Sequence, residues 1–216
     1  MATVVRVTCE GTRPIMFGRM SEETKEHLRK GTRPAGKKDV DPEKEADGKL
    51  YRNPDTGDLA IPADNFRACL VEAGALVSYK GKRNVSNAAE SLLPGVLNVK
   101  EEHLAFTDGQ GWEVDKRRGR LDSGVAVCIV RPLFRKWGFS ATLEIDDDHI
   151  QVEKIREVVE TAGRFKGLGE HRKKGRFGRF AIAKWEVISS KKSKGATGRK
   201  PRQKQDESAA ETAADE

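Results

Sequence analysis

From Val4 to Glu10 the chain alternates, with Val5, Val7 and Cys9 on one side and Arg6, Thr8 and Glu10 on the other. Successive side chains of a strand point to opposite faces, so this pattern predicts a half-buried first strand. From Gly18 to Asp58 the periodicity is lost. Ten basic and ten acidic residues cancel there, punctuated by Gly31, Pro34, Gly36, Pro42, Gly48, Pro54 and Gly57. So long a polar stretch is either a functional insertion or a disordered one, because low hydrophobicity leaves little to offset the ordering entropy. Next, in LAIPADNFRACLVEAGALVS, Pro62 can open a helix and Asp64 places an acid in its first turn. Phe66, Cys69, Leu70, Ala73 and Val77 recur at helical spacing and define its apolar face. Lys80 to Asp122 is irregular again, with basic clusters at Lys80, Lys82, Arg83 and at Lys116, Arg117, Arg118, Arg120. Apolar pieces such as LLPGVLNV read there as local strands or a small subdomain.

Gly124 to Val130 is a continuous apolar run rich in β-branched residues, and Trp137 to Ile145 alternates with Phe139, Ala141, Leu143 and Ile145 facing one way. These are expected to be adjacent strands of one long hairpin joined by RPLFRK. Asp146, Asp147 and Asp148 are expected to cap a second helix, with Val152, Ile155, Val159 and Ala162 as its apolar stripe and Gly163 at its end. That capping role is preferred to a metal site made from the same acids. FAIAKWEVI reads as a last strand, and 191–216, rich in Lys, Gly, Pro, Gln, Glu and Ala, as a disordered charged tail. Without the insertions the order is strand, helix, strand, strand, helix, strand. This predicts an α+β class, specifically a ferredoxin-like or RRM-like βαββαβ antiparallel sheet with two helices on one face. The domain would cover 1–190, with insertions at 18–58 and 80–122. The opposite sheet face would be free, and RRM-type domains bind nucleic acid on that surface.

Composition narrows the function. Of 216 residues, 36% are apolar and 35% charged, and 41 basic residues against 34 acids leave a net charge of +7, which favours a polyanionic partner. Three widely spaced cysteines without a CxxC pair argue against a disulfide framework or a zinc site and fit a reducing, cytoplasmic setting. The N-terminus does not read as a signal peptide, and no window approaches the ~18 apolar residues of a membrane span.

The densest chemistry lies in RFKGLGEHRKKGRFGRF, from Arg164 to Phe180. Seven Lys and Arg side chains face the single acid Glu170, among Gly167, Gly169, Gly175 and Gly178. GLGEHRKKG lacks the Gly-Lys-Ser/Thr ending of a P-loop. It also follows a helix, whereas P-loops and dinucleotide fingerprints follow a strand, so ATP and NAD are disfavoured and no cofactor or metal is expected. A polynucleotide backbone suits the segment better. Lys166, Arg172, Lys173, Lys174, Arg176 and Arg179 would neutralise phosphates, with glycine amides joining in. Phe165, Phe177 and Phe180 are expected to anchor the loop in the core.

GLGEHRKKGRFGRF, together with IPADNFRACL at the first helix, resembles the RAMP superfamily of CRISPR-associated proteins, closest to the backbone subunit that polymerises along guide RNA. The resemblance implies a modified RRM fold with a glycine-rich loop before the last strand and Gly18 to Asp58 as a thumb between neighbouring subunits. It also implies RNA contacts by Arg67 and the loop (Lys166, Gly167, Gly169, His171, Arg172, Lys173, Lys174, Gly175, Arg176, Gly178, Arg179). Lys80, Lys82 and Arg83 join the expected contacts as a second basic cluster. The implied partners are single-stranded guide RNA and further copies or other subunits of an effector filament. Related endoribonucleases use a histidine near the first helix, and this helix has none. His171 in the loop, and Asp39 and Asp41 in the thumb segment, are the candidates for chemistry. The reading therefore leans to non-catalytic RNA binding, with a guide-processing endoribonuclease or a phage single-stranded nucleic-acid-binding protein as alternatives.

Overall fold

The alternation of Val5, Val7 and Cys9 is realised in strand β1, Ala2–Gly11, where all three side chains are fully buried. The computed structural model describes residues 2–32, 40–120, 124–174 and 177–190. Asp39, Gly175, Arg176 and the tail 191–216, all named above, lie outside them. After β1 come β2 (Ile15–Met16), two short helices α1 (Glu22–Arg29) and α2 (Pro42–Asp47), β3 (Ala60–Pro62) and α3 (Ala63–Gly74). A small ribbon β4 (Ser78–Lys80) and β5 (Arg83–Asn84) follows, then one helical turn α4 (Leu93–Val96), β6 (Leu97–Val99), β7 (His103–Asp108) and β8 (Trp112–Arg120). β9 (Ala126–Phe134), β10 (Trp137–Asp146), α5 (Val152–Thr161) and β11 (Phe180–Ser190) complete the described elements.

The main sheet runs β11-β1-β10-β7-β3, with β6 also on β10, and every pairing in it is antiparallel. Its covered face shares one core with α3 and α5. Phe66, Cys69, Leu70 and Ala73 from α3 and Ile155, Val158 and Val159 from α5 lie against the inward residues of β1 and β10. Phe66 meets Phe139 edge-on at 5.1 Å, a geometry worth about 1 kcal/mol beyond the area it buries. The outward positions of β1, β10 and β11 include Val4, Arg6, Thr8, Glu10, Ser140, Thr142, Glu144, Lys184 and Glu186. None of these is aromatic, so base stacking on the open face in the RRM manner has no platform there.

The expected hairpin of Gly124–Val130 with Trp137–Ile145 does not form. β9 pairs instead with β8 over its full length, from Trp112↔Phe134 to Arg120↔Ala126, and with β2, making a separate three-stranded sheet. The apolar run is an exposed ribbon at its start, with Val125 57% and Cys128 open to solvent. β6 and β7 supply strands beside β10.

Two further expectations are corrected at α5. Its N-cap is Gln151, while the aspartates form the preceding turn, where Asp146 accepts from the Asp148 amide and contacts His149, and Asp147 accepts from Thr3. Gly163 does not end the helix but lies in a π-turn, Ala162–Lys166. The 18–58 segment holds α1, which buries nothing, and α2, which carries buried Ala46 and is followed by buried Leu50. Lys49 Nζ ties it to the Val130 carbonyl at 2.6 Å. Among the described residues no helix is long and apolar enough to cross a membrane.

Burial pushes the Cys9 and Cys69 thiols up to about 12. Alkylation of the native protein at neutral pH is therefore expected to modify Cys128 alone, and all three cysteines only after unfolding. Both folded values lie above the ordinary one. The stability these thiols contribute is present below pH ~9 and is lost as pH rises toward 12, which an alkaline denaturation series would read.

Candidate nucleic-acid interface

The loop between the π-turn and β11 is held by backbone. The Leu168 amide donates to the Gly178 carbonyl at 2.9 Å, the Gly178 amide to Pro14 at 2.7 Å, and the Glu170 amide to Met16 at 2.9 Å. The Gly167 amide closes the π-turn on Ala162 at 2.8 Å. The Gly167 and Gly178 amides are thus occupied by carbonyls, and at these two positions glycine serves close approach. Gly178 (φ +68) shows why: a Cβ there would lie 1.7 Å from the Leu168 carbonyl oxygen. Gly167 (φ +73) would meet the Gly178 oxygen at 2.6 Å in the same way. Phe177 and Phe180 are buried anchors as expected, but Phe165 is 52% exposed beneath the Arg164 guanidinium.

On this support the chain turns at His171, whose φ is +56, into a 3-10 turn, Arg172–Lys174. Arg131 of β9 donates from Nη1 to His171 Nε2 at 2.9 Å and pairs with Glu170 at 3.4 Å. Guanidinium is a donor only, so His171 Nε2 is the acceptor in this contact. Arg172 is fixed to Glu72 of α3 at 2.8 Å. Arg179 sits under the turn, donating to the Arg172 carbonyl at 3.4 Å, and burial holds its guanidinium below the ordinary range.

Two clefts open on either side of His171. The first, of about 410 Å³, is lined by Gly18, Tyr51, Asn65 and Ala68 together with Gly169 to Lys173. The second, of about 790 Å³, is lined by Arg117 to Arg120 of β8, Ile129, His171 and Phe177. Lys173, Arg118 and Arg120 are exposed and have no ion-pair partner among the described residues. The β8 arginines were visible in the sequence as a basic cluster, but nothing local to them said that they face the glycine-rich loop. Tyr51 and Asn65 carried no signal at all.

Other expected contacts lie elsewhere. Arg67 is committed to the Val99 carbonyl at 2.6 Å and to Asp64 at 2.9 Å. Lys80, Lys82 and Arg83 line a separate cleft at the β4–β5 ribbon. Lys166 is half-buried at the end of the π-turn, and Lys174 closes the 3-10 turn. Asp41 caps α2 by accepting from the Glu43 amide at 3.0 Å. Asp146, Asp147 and Asp148 bring carboxylate oxygens within 4.8 Å of one another, but the turn's own hydrogen bonds engage Asp146 and Asp147.

No protein-family model matches the chain, and no curated protein matches it in sequence. The similarity lies in structure. A chain from the cryo-EM structure of the type III-B Cmr-beta complex bound to cognate target RNA superposes with a TM-score of 0.56 at 14% identity, over 87% of this chain. The fold is similar to that of this Cmr-beta chain. This chain spans 61% of that relative's length. Cmr6 from Pyrococcus furiosus matches at a TM-score of 0.39 and 12% identity, over 84% of this chain and 99% of its own. The likeness to the Cmr-beta chain is one of fold.

Proposed function

We propose that this chain is an RNA-binding, non-catalytic subunit of a cytoplasmic CRISPR-type ribonucleoprotein. Its sheet is taken as a ferredoxin-like unit in which β6 and β7 together act as the second strand. Single-stranded guide RNA runs across the two clefts and is held by its phosphates. Further copies or other effector subunits continue the track, with 18–58 as the inter-subunit thumb. The observation that carries this reading is the convergence of Lys173, Arg118 and Arg120 around a loop fixed by backbone hydrogen bonds. It occurs in a fold shared with a chain of a complex bound to target RNA.

Rigid placement matters because cations held near their binding geometry lose less entropy when a phosphate arrives. Each phosphate contact on a single strand contributes about 0.7 to the salt slope, so these three cations alone predict a slope of about 2 in the logarithm of affinity against log salt. Fluorescence anisotropy with single-stranded RNA is expected to show it, with the RNA intact after incubation in magnesium. A slope near zero would sink the reading.

The endoribonuclease alternative rests on the position of His171 at the junction of both clefts. Its Nε2 already accepts a hydrogen bond from Arg131, which must break before that nitrogen can take a proton. RNA cleavage abolished by His171→Ala would establish the alternative. A preference for DNA over RNA of the same sequence would instead favour the phage single-strand-binding reading.

A further inference from the structure

We infer that the cleft between β8 and the loop is a nucleobase subsite, in which Arg117 is a stacking shelf rather than a phosphate clamp. The inference rests on the RNA-binding reading and adds a base contact to it.

Arg117 differs from its neighbours Arg118 and Arg120. Its Nε and Nη2 donate to the two carboxylate oxygens of Asp115 at 2.5 and 2.8 Å, and its pKa is raised by that partner. One face of the guanidinium lies 4.8 Å from the centre of the Phe177 ring. Phe177 is only 6% exposed and packs with Met16 and Leu133, so the layer below the guanidinium is fixed. Asp115 retains 14% exposure and Arg117 36%, and the exposed part of Arg117 lines the 790 Å³ cleft.

Three consequences follow from this geometry. The Arg117–Asp115 pair is close to neutral, so it attracts a phosphate weakly compared with Arg118 or Arg120. Its Nε–Nη2 edge is already used, so a side-on bidentate phosphate contact would require breaking the Asp115 pair, and only the Nη1–Nη2 end stays open. What remains is a flat, preordered, weakly hydrated cation backed by an aromatic ring, and RNA bases stack on guanidinium planes of this kind. The cleft gives the base room, while Arg118 and Arg120 in its lining, and Lys173 in the neighbouring cleft across His171, hold the flanking phosphates. Stacking accepts any base, so the subsite supports sequence-tolerant binding.

The test compares an oligoadenylate with the matching abasic ribose-phosphate oligomer on wild type, Arg117→Lys and Arg117→Ala, with thermal melts to confirm folding. The expected result is that wild type prefers the base-bearing strand by about tenfold. That preference should disappear in both variants, although Arg117→Lys keeps the charge, and the salt slope should stay unchanged. Phe177→Leu, which keeps the apolar filling but removes the ring, should lose the preference as well. A preference that survives in Arg117→Lys, or equal binding of the two strands by wild type, overturns the subsite while leaving the phosphate groove standing. Wild type that binds neither strand overturns the groove and the subsite together.

Discussion

Replacing Gly178 by Ala is expected to lower the free energy of unfolding by roughly 3–5 kcal/mol. The left-handed backbone at φ +68 costs a residue with a Cβ about 1–2 kcal/mol on its own. The new methyl would also lie 1.7 Å from the Leu168 carbonyl oxygen, so the two segments must part. Parting them strains the Leu168 to Gly178 and Gly178 to Pro14 hydrogen bonds, each contributing about 1 kcal/mol. Gly57→Ala is the control, since its φ is +77 but nothing lies within 4 Å of the added methyl. It should cost only the backbone share, about 1–2 kcal/mol. Urea midpoints at constant slope would measure both. Equal losses would mean that the loop does not depend on this close approach.

The same comparison shows what could be read along the chain and what could not. β1, α3, β10, α5 and β11 each carry a complete apolar period in contiguous residues, such as Val5, Val7 and Cys9 or Phe66, Cys69, Leu70 and Ala73, and all were legible. β9 was legible as a strand but not in its partner. Its apolar run fits β10 as well as β8 on composition, and only the register from Trp112 to Phe134 distinguishes them. β6 and β7 are too short to show a period, and β8 is masked by charge, because Lys116, Arg118 and Arg120 occupy its exposed alternate positions. Gly167 and Gly178 stood out in the sequence, but what requires them there did not. A sequence reports that a residue lacks a Cβ without reporting what would strike one, and here it is the chain's own carbonyls. The aspartates after β10 were assigned to the α5 cap because acids suit a helix N-terminus, yet the helix begins five residues after Asp147, at Val152.

Charge placement, rather than charge count, should decide where RNA binds. Reversing Lys173, Arg118 and Arg120 together to Glu is expected to weaken single-stranded RNA binding by at least about a hundredfold at ~0.1 M salt. Three lost phosphate contacts at about 0.7 each remove roughly 2 from the salt slope and two orders of magnitude from affinity at that concentration. Three added negative charges push the value further in the same direction. The matched control reverses Lys80, Lys82 and Arg83, which line the cleft at the β4–β5 ribbon. Both triplets change the net charge equally, so any loss from general electrostatic attraction is common to the two proteins. All six side chains are largely solvent-facing, so neither set should disturb the fold. Should the ribbon triplet lose the slope while the loop triplet keeps it, the RNA track would lie at the C-terminal end of α3. The 790 Å³ cleft under Arg117 would then lie off its path.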